Sequence, residues 1–170
     1  RVRAHSARGA RVSGGFVFAA VAFGMLLVAL VANVLYAIDD LELQGTVFSE
    51  GITVLVAYGA ALGTMGALCW WSPKLWGVAP AEGRVVPIAL LGAAGAFFAG
   101  FPLLVAGFLD QEAGYAYTNS DLAIWNILSL FGHVLMALTL VGFVGQLIGV
   151  ARRSAPAVVP GASPFASMDG

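Results

Sequence analysis

The stretch GGFVFAAVAFGMLLVALVANVLYAI, residues 14–38, is apolar almost from end to end and contains no charged side chain. A helix that crosses the hydrocarbon core of a bilayer needs about 20 such residues. The hydrophobic region of a secretory signal peptide is shorter, about 7–15 residues. This stretch therefore predicts a membrane-spanning helix.

The whole chain is also rich in apolar residues. Of its 170 residues, 60% are hydrophobic and 10% are charged, and the formal net charge is −1. A soluble domain of this length exposes too much surface to hide so many apolar side chains. Because the chain has no basic tract with interleaved aromatic residues, nucleic acid is not expected as a partner. The composition predicts an integral membrane protein.

Three further segments are long and apolar enough to cross a bilayer, at residues 49–71, 85–109 and 122–150. Backbone groups in hydrocarbon must find their hydrogen-bond partners within the protein, so all four spans are expected to be helices. The predicted fold class is an all-α membrane protein, a bundle of four transmembrane helices over residues 14–150. Residues 1–13 are expected to form a basic arm, and residues 151–170 a flexible tail.

Lysine and arginine fall on one side of these spans. They precede the first span, lie between the second and third, and follow the fourth, at Arg1, Arg3, Arg8, Arg11, Lys74, Arg84, Arg152 and Arg153. The other two loops carry only acidic charges, at Asp39, Asp40, Glu42, Asp110, Glu112 and Asp121. The positive-inside bias predicts a multi-pass protein of the inner (plasma) membrane with both termini in the cytoplasm. The tryptophans lie near predicted span ends, where their rings suit the headgroup region: Trp70, Trp71, Trp76 and Trp125.

Small residues recur inside the second and third spans, in GAALGTMGA (59–67) and GAAGAFFAG (92–100). Such spacings let helix backbones approach closely. Close packing against neighbouring helices, some of them outside this chain, is therefore predicted at Gly59, Gly63, Gly66, Gly92, Gly95 and Gly100. Pro102 is expected to kink the third span where another helix satisfies the freed carbonyl.

Few side chains within the spans are suited to chemistry. His133, about halfway along the fourth span, is a candidate for binding haem or a metal, or for relaying protons, but no second ligand stands at a suitable spacing. A hydrogen-bonded core or interface histidine is therefore favoured. Glu50 is interpreted as a solvated carboxylate at the outer end of its span, and Cys69 as a small apolar side chain that fills space. His5 has no partner in the arm. Interhelical hydrogen bonds are predicted for Asn33, Thr53, Thr64, Asn126, Ser129 and Thr139.

Several segments, in order, resemble subunit I of the haem-copper (cytochrome c) oxidases. An outer loop of that family is similar to LELQGTVF, and its next helix is similar to the second span. The family's YYWFPKMTG motif at the end of that helix is similar to CWWSPKLWG. The first span resembles the preceding helix, IWNILSLFGHVLMALTLVGFVGQLI resembles the last helix, and PGASPF resembles the C-terminal ending. The resemblance covers nearly the whole chain and implies the last four of twelve helices.

The cofactor positions implied by this resemblance are changed. Ile52 and Val54 stand where the family has two haem-iron histidines, and neither side chain can ligate iron. Gln44 and Gly45 replace a His–Asp pair associated with magnesium, and the loop after the third span lacks the arginine pair that holds haem propionates. The resemblance thus implies no catalytic residue, no cofactor and no metal on this chain, with haem and copper in partner subunits.

These residues favour a non-catalytic, subunit I-like membrane protein with a structural role in a respiratory oxidase or related electron-transport complex. Its expected partners are other integral membrane subunits and lipids. Three alternatives stay open. In the first, the chain is the C-terminal part of a split catalytic oxidase subunit in aerobic respiration. In the second, it is a small transporter or proton channel that uses His133. In the third, it is an assembly factor that binds the oxidase transiently.

Overall fold

The computed structural model describes residues 13–114 and 120–154, and this part of the chain folds into four long helices. They are α1 (Gly14–Tyr36), α2 (Phe48–Trp76), α3 (Glu82–Phe108) and α4 (Ser120–Ser154), with a 3-10 turn at Asp39–Leu41. All four are long and apolar enough to cross a membrane, so the predicted all-helical fold with four such helices is confirmed for the described residues. Most of the predicted arm and tail, His5 and the PGASPF segment lie outside the described residues.

The third helix is the centre of the bundle. α1 and α2 lie side by side, both contact α3, and α4 packs on α3 with only slight contact to α2. In the most apolar window of each helix, 50% of α3 is buried but only 22% of α1. The outward side chains of α1 and α4 are large and apolar, with Phe23 64% and Val141 70% exposed. An exposed apolar surface of this kind suits a bundle surrounded by acyl chains.

Two apolar clusters fill the interior, one towards each end of the bundle. We call the end that carries Lys74 and Arg84 the basic end, and the end that carries the loops 37–47 and 109–114 the acidic end. Towards the basic end, the fully buried Phe18 of α1 meets Phe143 of α4 edge to face, with ring centroids 5.7 Å apart. Towards the acidic end, Phe48 stacks with Tyr36 and meets Phe108 edge to face. Aromatic contacts thus join α1 to α4 and to α2, and α2 to α3.

Glycines set the distances between these helices. A Cβ atom on Gly95 would lie 2.8 Å from the backbone nitrogen of Met136, and one on Gly132 would overlap the backbone of Phe98 and Ala99. All six glycines of the two small-residue segments meet another helix of this chain. Gly59, Gly63 and Gly66 face α1, Gly92 faces α2 and α4, Gly95 faces α4 and Gly100 faces α2. The predicted close packing is confirmed, and its partners lie inside the chain.

The second helix is longer than the sequence predicted, because it continues past residue 71 to Trp76. Pro73 lacks the N–H that would bond to the carbonyl of Cys69. The Ser72 hydroxyl donates to that carbonyl instead, at 2.9 Å. The helix then ends at Gly77, whose φ of 67° is the left-handed conformation that glycine adopts at little cost. A local side chain therefore satisfies the acceptor that the proline leaves open.

The third helix also continues through its internal prolines, Pro87 and Pro102. Near Pro102, the hydroxyl of Ser129 on α4 donates to the carbonyl of Ala99 at 2.8 Å. Pro102 itself removes the donor for the Phe98 carbonyl, one residue earlier. The expected interhelical bond is thus present in this region, but on the carbonyl next to the one predicted.

The two loops at the acidic end pair with each other. Thr46 and Glu112 form an antiparallel bridge, in which Val47 N donates to Gln111 O and Ala113 N donates to Gly45 O, both at 2.8 Å. Gly45 has a φ of +83°, a left-handed conformation that other residues adopt with strain. The bridge ties the α1–α2 connection to the segment that follows α3.

Gly132→Ala tests whether backbone approach holds α3 against α4. The added methyl group meets the α3 backbone, which cannot move aside like a flexible side chain, so we expect a loss of about 1–3 kcal/mol in unfolding free energy. Gly145→Ala, on the same helix but with nothing within 4 Å of its Cβ position, should be neutral or stabilise by up to about 1 kcal/mol. Denaturation of both variants in mixed detergent micelles measures the difference. Equal effects would contradict the close approach.

Candidate functional site

His133 lies in the cleft between α2 and α4, half-buried and opposite Tyr58. Its Nδ1 atom is 2.7 Å from the carbonyl oxygen of Ser129, one turn earlier on the same helix. Its ring meets that of Tyr58 edge to face, with centroids 5.5 Å apart. The histidine therefore contacts its own helix through a hydrogen bond and α2 through an aromatic contact.

This geometry settles which ring nitrogen is free. A carbonyl oxygen only accepts, so Nδ1 carries the proton, and the lone pair of a neutral His133 lies on Nε2. Nε2 has no hydrogen-bond partner among the described residues. One imidazole nitrogen supplies a single ligand, and no group of three or more histidine, cysteine, aspartate or glutamate side chains lies together in the described part of the chain. The arrangement is that of an interface histidine with one available nitrogen.

Ile52 and Val54, the two positions where the sequence resemblance would place haem ligands, are both half-buried. Ile52 packs beside the apolar cluster of the acidic end and lines a groove between α1 and α2, together with the exposed Asn33. Val54 lies one helical turn before Tyr58 and so shares its face of α2. The two side chains therefore point to different sides of α2, and both are hydrocarbon.

Gln44 and Gly45, which the sequence resemblance would align with a magnesium site, lie in the acidic-end loop. The Gln44 amide donates to the Asp39 carboxylate at 3.1 Å in an exposed contact. Gly45 supplies a left-handed turn, and its carbonyl accepts from Ala113. Both residues thus have local contacts that stabilise the loop.

Gln111 is a buried polar residue that sequence patterns gave no reason to select. It is 2% exposed, and its side-chain nitrogen donates to the amide oxygen of Asn126 on α4 at 3.1 Å. Its own amide oxygen is buried and has no hydrogen-bond partner among residues 13–114 and 120–154. The residue thus ties the loop after α3 to the start of α4. Its importance depends on a contact between segments that the sequence alone does not reveal.

The polar residues within the helices differ from the prediction in where their hydrogen bonds go. The hydroxyls of Thr53, Thr64 and Thr139 each donate to a carbonyl four residues earlier on their own helix, so the predicted interhelical bonds are wrong for these three. Threonine commonly bonds its own helix in this way, since the hydroxyl lies beside that carbonyl. Of the six residues for which interhelical hydrogen bonds were predicted, only Ser129 bonds directly to another helix in the described structure. Asn126 bonds to Gln111 in the loop after α3.

Glu50 and Cys69 occupy ordinary positions. Glu50 is exposed in the first turn of α2, where a carboxylate is stabilised by the positive end of the helix dipole. Cys69 is a free, half-buried thiol packed beside the apolar cluster of the basic end. Neither contacts His133 in the described structure.

No protein-family model matches this chain, and no curated protein matches it significantly. The likeness to oxidase subunit I is therefore carried by the sequence segments alone.

Ser129→Ala tests the hydrogen bond between α4 and α3. The substitution removes the hydroxyl but keeps the backbone carbonyl that holds His133, so we expect a loss of about 0.6 kcal/mol in unfolding free energy, typical of such bonds in membranes. Thr64→Ala removes a hydroxyl that bonds only its own helix and should change stability less. Unfolding in mixed micelles compares the two, and a larger loss for Thr64→Ala would contradict this assignment.

Proposed function

We propose that this chain is a non-catalytic membrane subunit, similar to the C-terminal four helices of haem-copper oxidase subunit I, with a structural role in a respiratory oxidase or related electron-transport complex. The proposal is supported by the apolar residues that stand at the two positions where the resemblance implies haem ligands. Ile52 and Val54 are half-buried and on different sides of α2, and Ile52 packs against the core cluster of the acidic end. The proposal places the chain in the inner membrane with both termini in the cytoplasm, as the distribution of lysine and arginine favours.

The surface available to partner subunits differs from the one expected. The glycine-lined faces of α2 and α3 are already occupied by α1, α2 and α4, so they do not serve partner helices. Large side chains of the outer faces of α1 and α4 remain, among them Phe16, Phe23, Leu30, Ile127, Leu130 and Val141. In the proposed complex, partner helices meet this bulky apolar surface.

The first experiment is a pyridine haemochrome assay on the chain purified alone and on any complex that purifies with it. We expect the isolated chain to be colourless, because one histidine nitrogen offers a single ligand, and the co-purified complex to carry haem. His133→Leu serves as the matched variant, since it removes the only mid-span histidine.

Each outcome of this assay decides between functions. Stoichiometric haem on the isolated chain that is lost in His133→Leu would overturn the non-catalytic role. A colourless chain that stays with a haem-bearing oxidase through detergent purification supports a permanent subunit, whereas loss of the chain during purification favours the assembly factor.

A proton-flux assay tests the channel alternative. A proton path needs a series of ionisable groups through the membrane, but the sequence has no ionisable side chain between Arg84 and Asp110, and His133 is the only one between Asp121 and Arg152. We expect proteoliposomes to show no proton flux above protein-free vesicles, and no change with His133→Gln. A flux that the substitution abolishes would favour the channel.

A further inference from the structure

A cavity of about 410 Å³ opens at the basic end, where α1 begins, α2 ends and α3 begins. Its wall includes three polar side chains, Ser13, Lys74 and Glu82, together with the apolar surfaces of Trp70 and Pro73. These residues flank the ends of membrane-spanning helices, so the cavity lies at the depth of lipid headgroups.

A second, apolar cavity adjoins the first. It has a volume of about 320 Å³ and lies in the groove between α1 and α2, lined by Phe16, Ala19 and Gly63 among others. Gly15 and Trp70 line both cavities. A polar chamber at the interface thus continues into a hydrocarbon groove that runs towards the middle of the membrane.

The polar chamber presents two opposite charges that do not pair with each other. The Lys74 ammonium lies over the Trp71 ring, 5.0 Å from its centroid. One oxygen of the Glu82 carboxylate accepts from the backbone N–H of Gly14 at the start of α1. Lys74 therefore has three N–H donors available for a ligand, and Glu82 has its second carboxylate oxygen available as an acceptor.

We propose that this site binds a zwitterionic phospholipid of the phosphatidylethanolamine class. Its phosphate pairs with Lys74, its ethanolamine ammonium pairs with Glu82, and an acyl chain occupies the groove between α1 and α2. This inference rests on the two cavities and does not depend on the oxidase likeness.

The charges select this headgroup over other common ones. A phosphatidylglycerol headgroup carries only negative charge, so it pairs with Lys74 but is repelled by Glu82. The quaternary ammonium of phosphatidylcholine has no N–H to donate to the carboxylate. An ethanolamine headgroup has three ammonium N–H donors for Glu82 and a phosphate that accepts from Lys74, so it satisfies both residues.

Native mass spectrometry of the full chain tests the proposal, with equimolar phosphatidylethanolamine, phosphatidylcholine and phosphatidylglycerol of identical acyl chains. We expect the wild type to retain phosphatidylethanolamine about threefold over each of the others, as suits partly exposed ion pairs. Glu82→Gln keeps an oxygen for the Gly14 N–H but removes the charge, so the preference over phosphatidylglycerol should disappear. Lys74→Gln should weaken retention of both phosphatidylethanolamine and phosphatidylglycerol, and Lys74→Arg should restore it.

Arg84→Gln is the matched control, because Arg84 lies at the same end of the bundle but does not line the cavity. It changes the net charge as Lys74→Gln does and should leave the preference intact. Equal retention of the three lipids by the wild type would overturn the proposal, as would an Arg84→Gln effect as large as that of Lys74→Gln.

A second measurement tests the acyl-chain groove. A variant in which Trp76 and Trp125 are replaced by phenylalanine keeps as reporters Trp70, which lines both cavities, and Trp71, which lines the groove. Phosphatidylethanolamine with brominated acyl chains should quench their fluorescence more than brominated phosphatidylcholine does. Equal quenching would contradict headgroup-selective binding at this site.

Discussion

The bundle depends on the approach of the α3 and α4 backbones at Gly95 and Gly132. In hydrocarbon, every backbone carbonyl needs a donor within the protein, and Pro102 weakens the hydrogen bonding of α3 at this level. The missing side chain of Gly132 lets α4 come close enough for the Ser129 hydroxyl to reach the Ala99 carbonyl. This contact holds α4 on α3, and since α1 and α2 also contact α3, it is the central helix of the bundle.

The sequence predicted the number, type and approximate limits of the helices, because long apolar segments leave few alternatives in a membrane. It also identified six of the glycines that lie at helix contacts, but not Gly132, whose close approach to α3 no small-residue spacing indicated. It ended the second span at residue 71, whereas α2 continues through Pro73 to Trp76, with the Ser72 hydroxyl on the carbonyl that the proline leaves open. It also assigned Thr53, Thr64 and Thr139 to partners on other helices, although a helical hydroxyl has a nearer acceptor on its own backbone.

The candidate sites were less predictable than the fold, because each depends on residues far apart in sequence. Tyr58 faces His133, Gln111 bonds Asn126, and Glu82 accepts from Gly14. Periodicity within one helix shows which residues share a face but not which face meets another helix. The likeness to oxidase subunit I named Ile52 and Val54 in advance, and the structure adds that these side chains lie on different sides of α2.

The bridge between Thr46 and Glu112 also bears on how the protein enters the membrane. It joins the connection inside the α1–α2 hairpin to the connection inside the α3–α4 hairpin. Neither hairpin contains both partners, so the bridge requires that both loops lie at the same end of the bundle. It therefore fixes the register of one hairpin against the other and cannot form within a single hairpin.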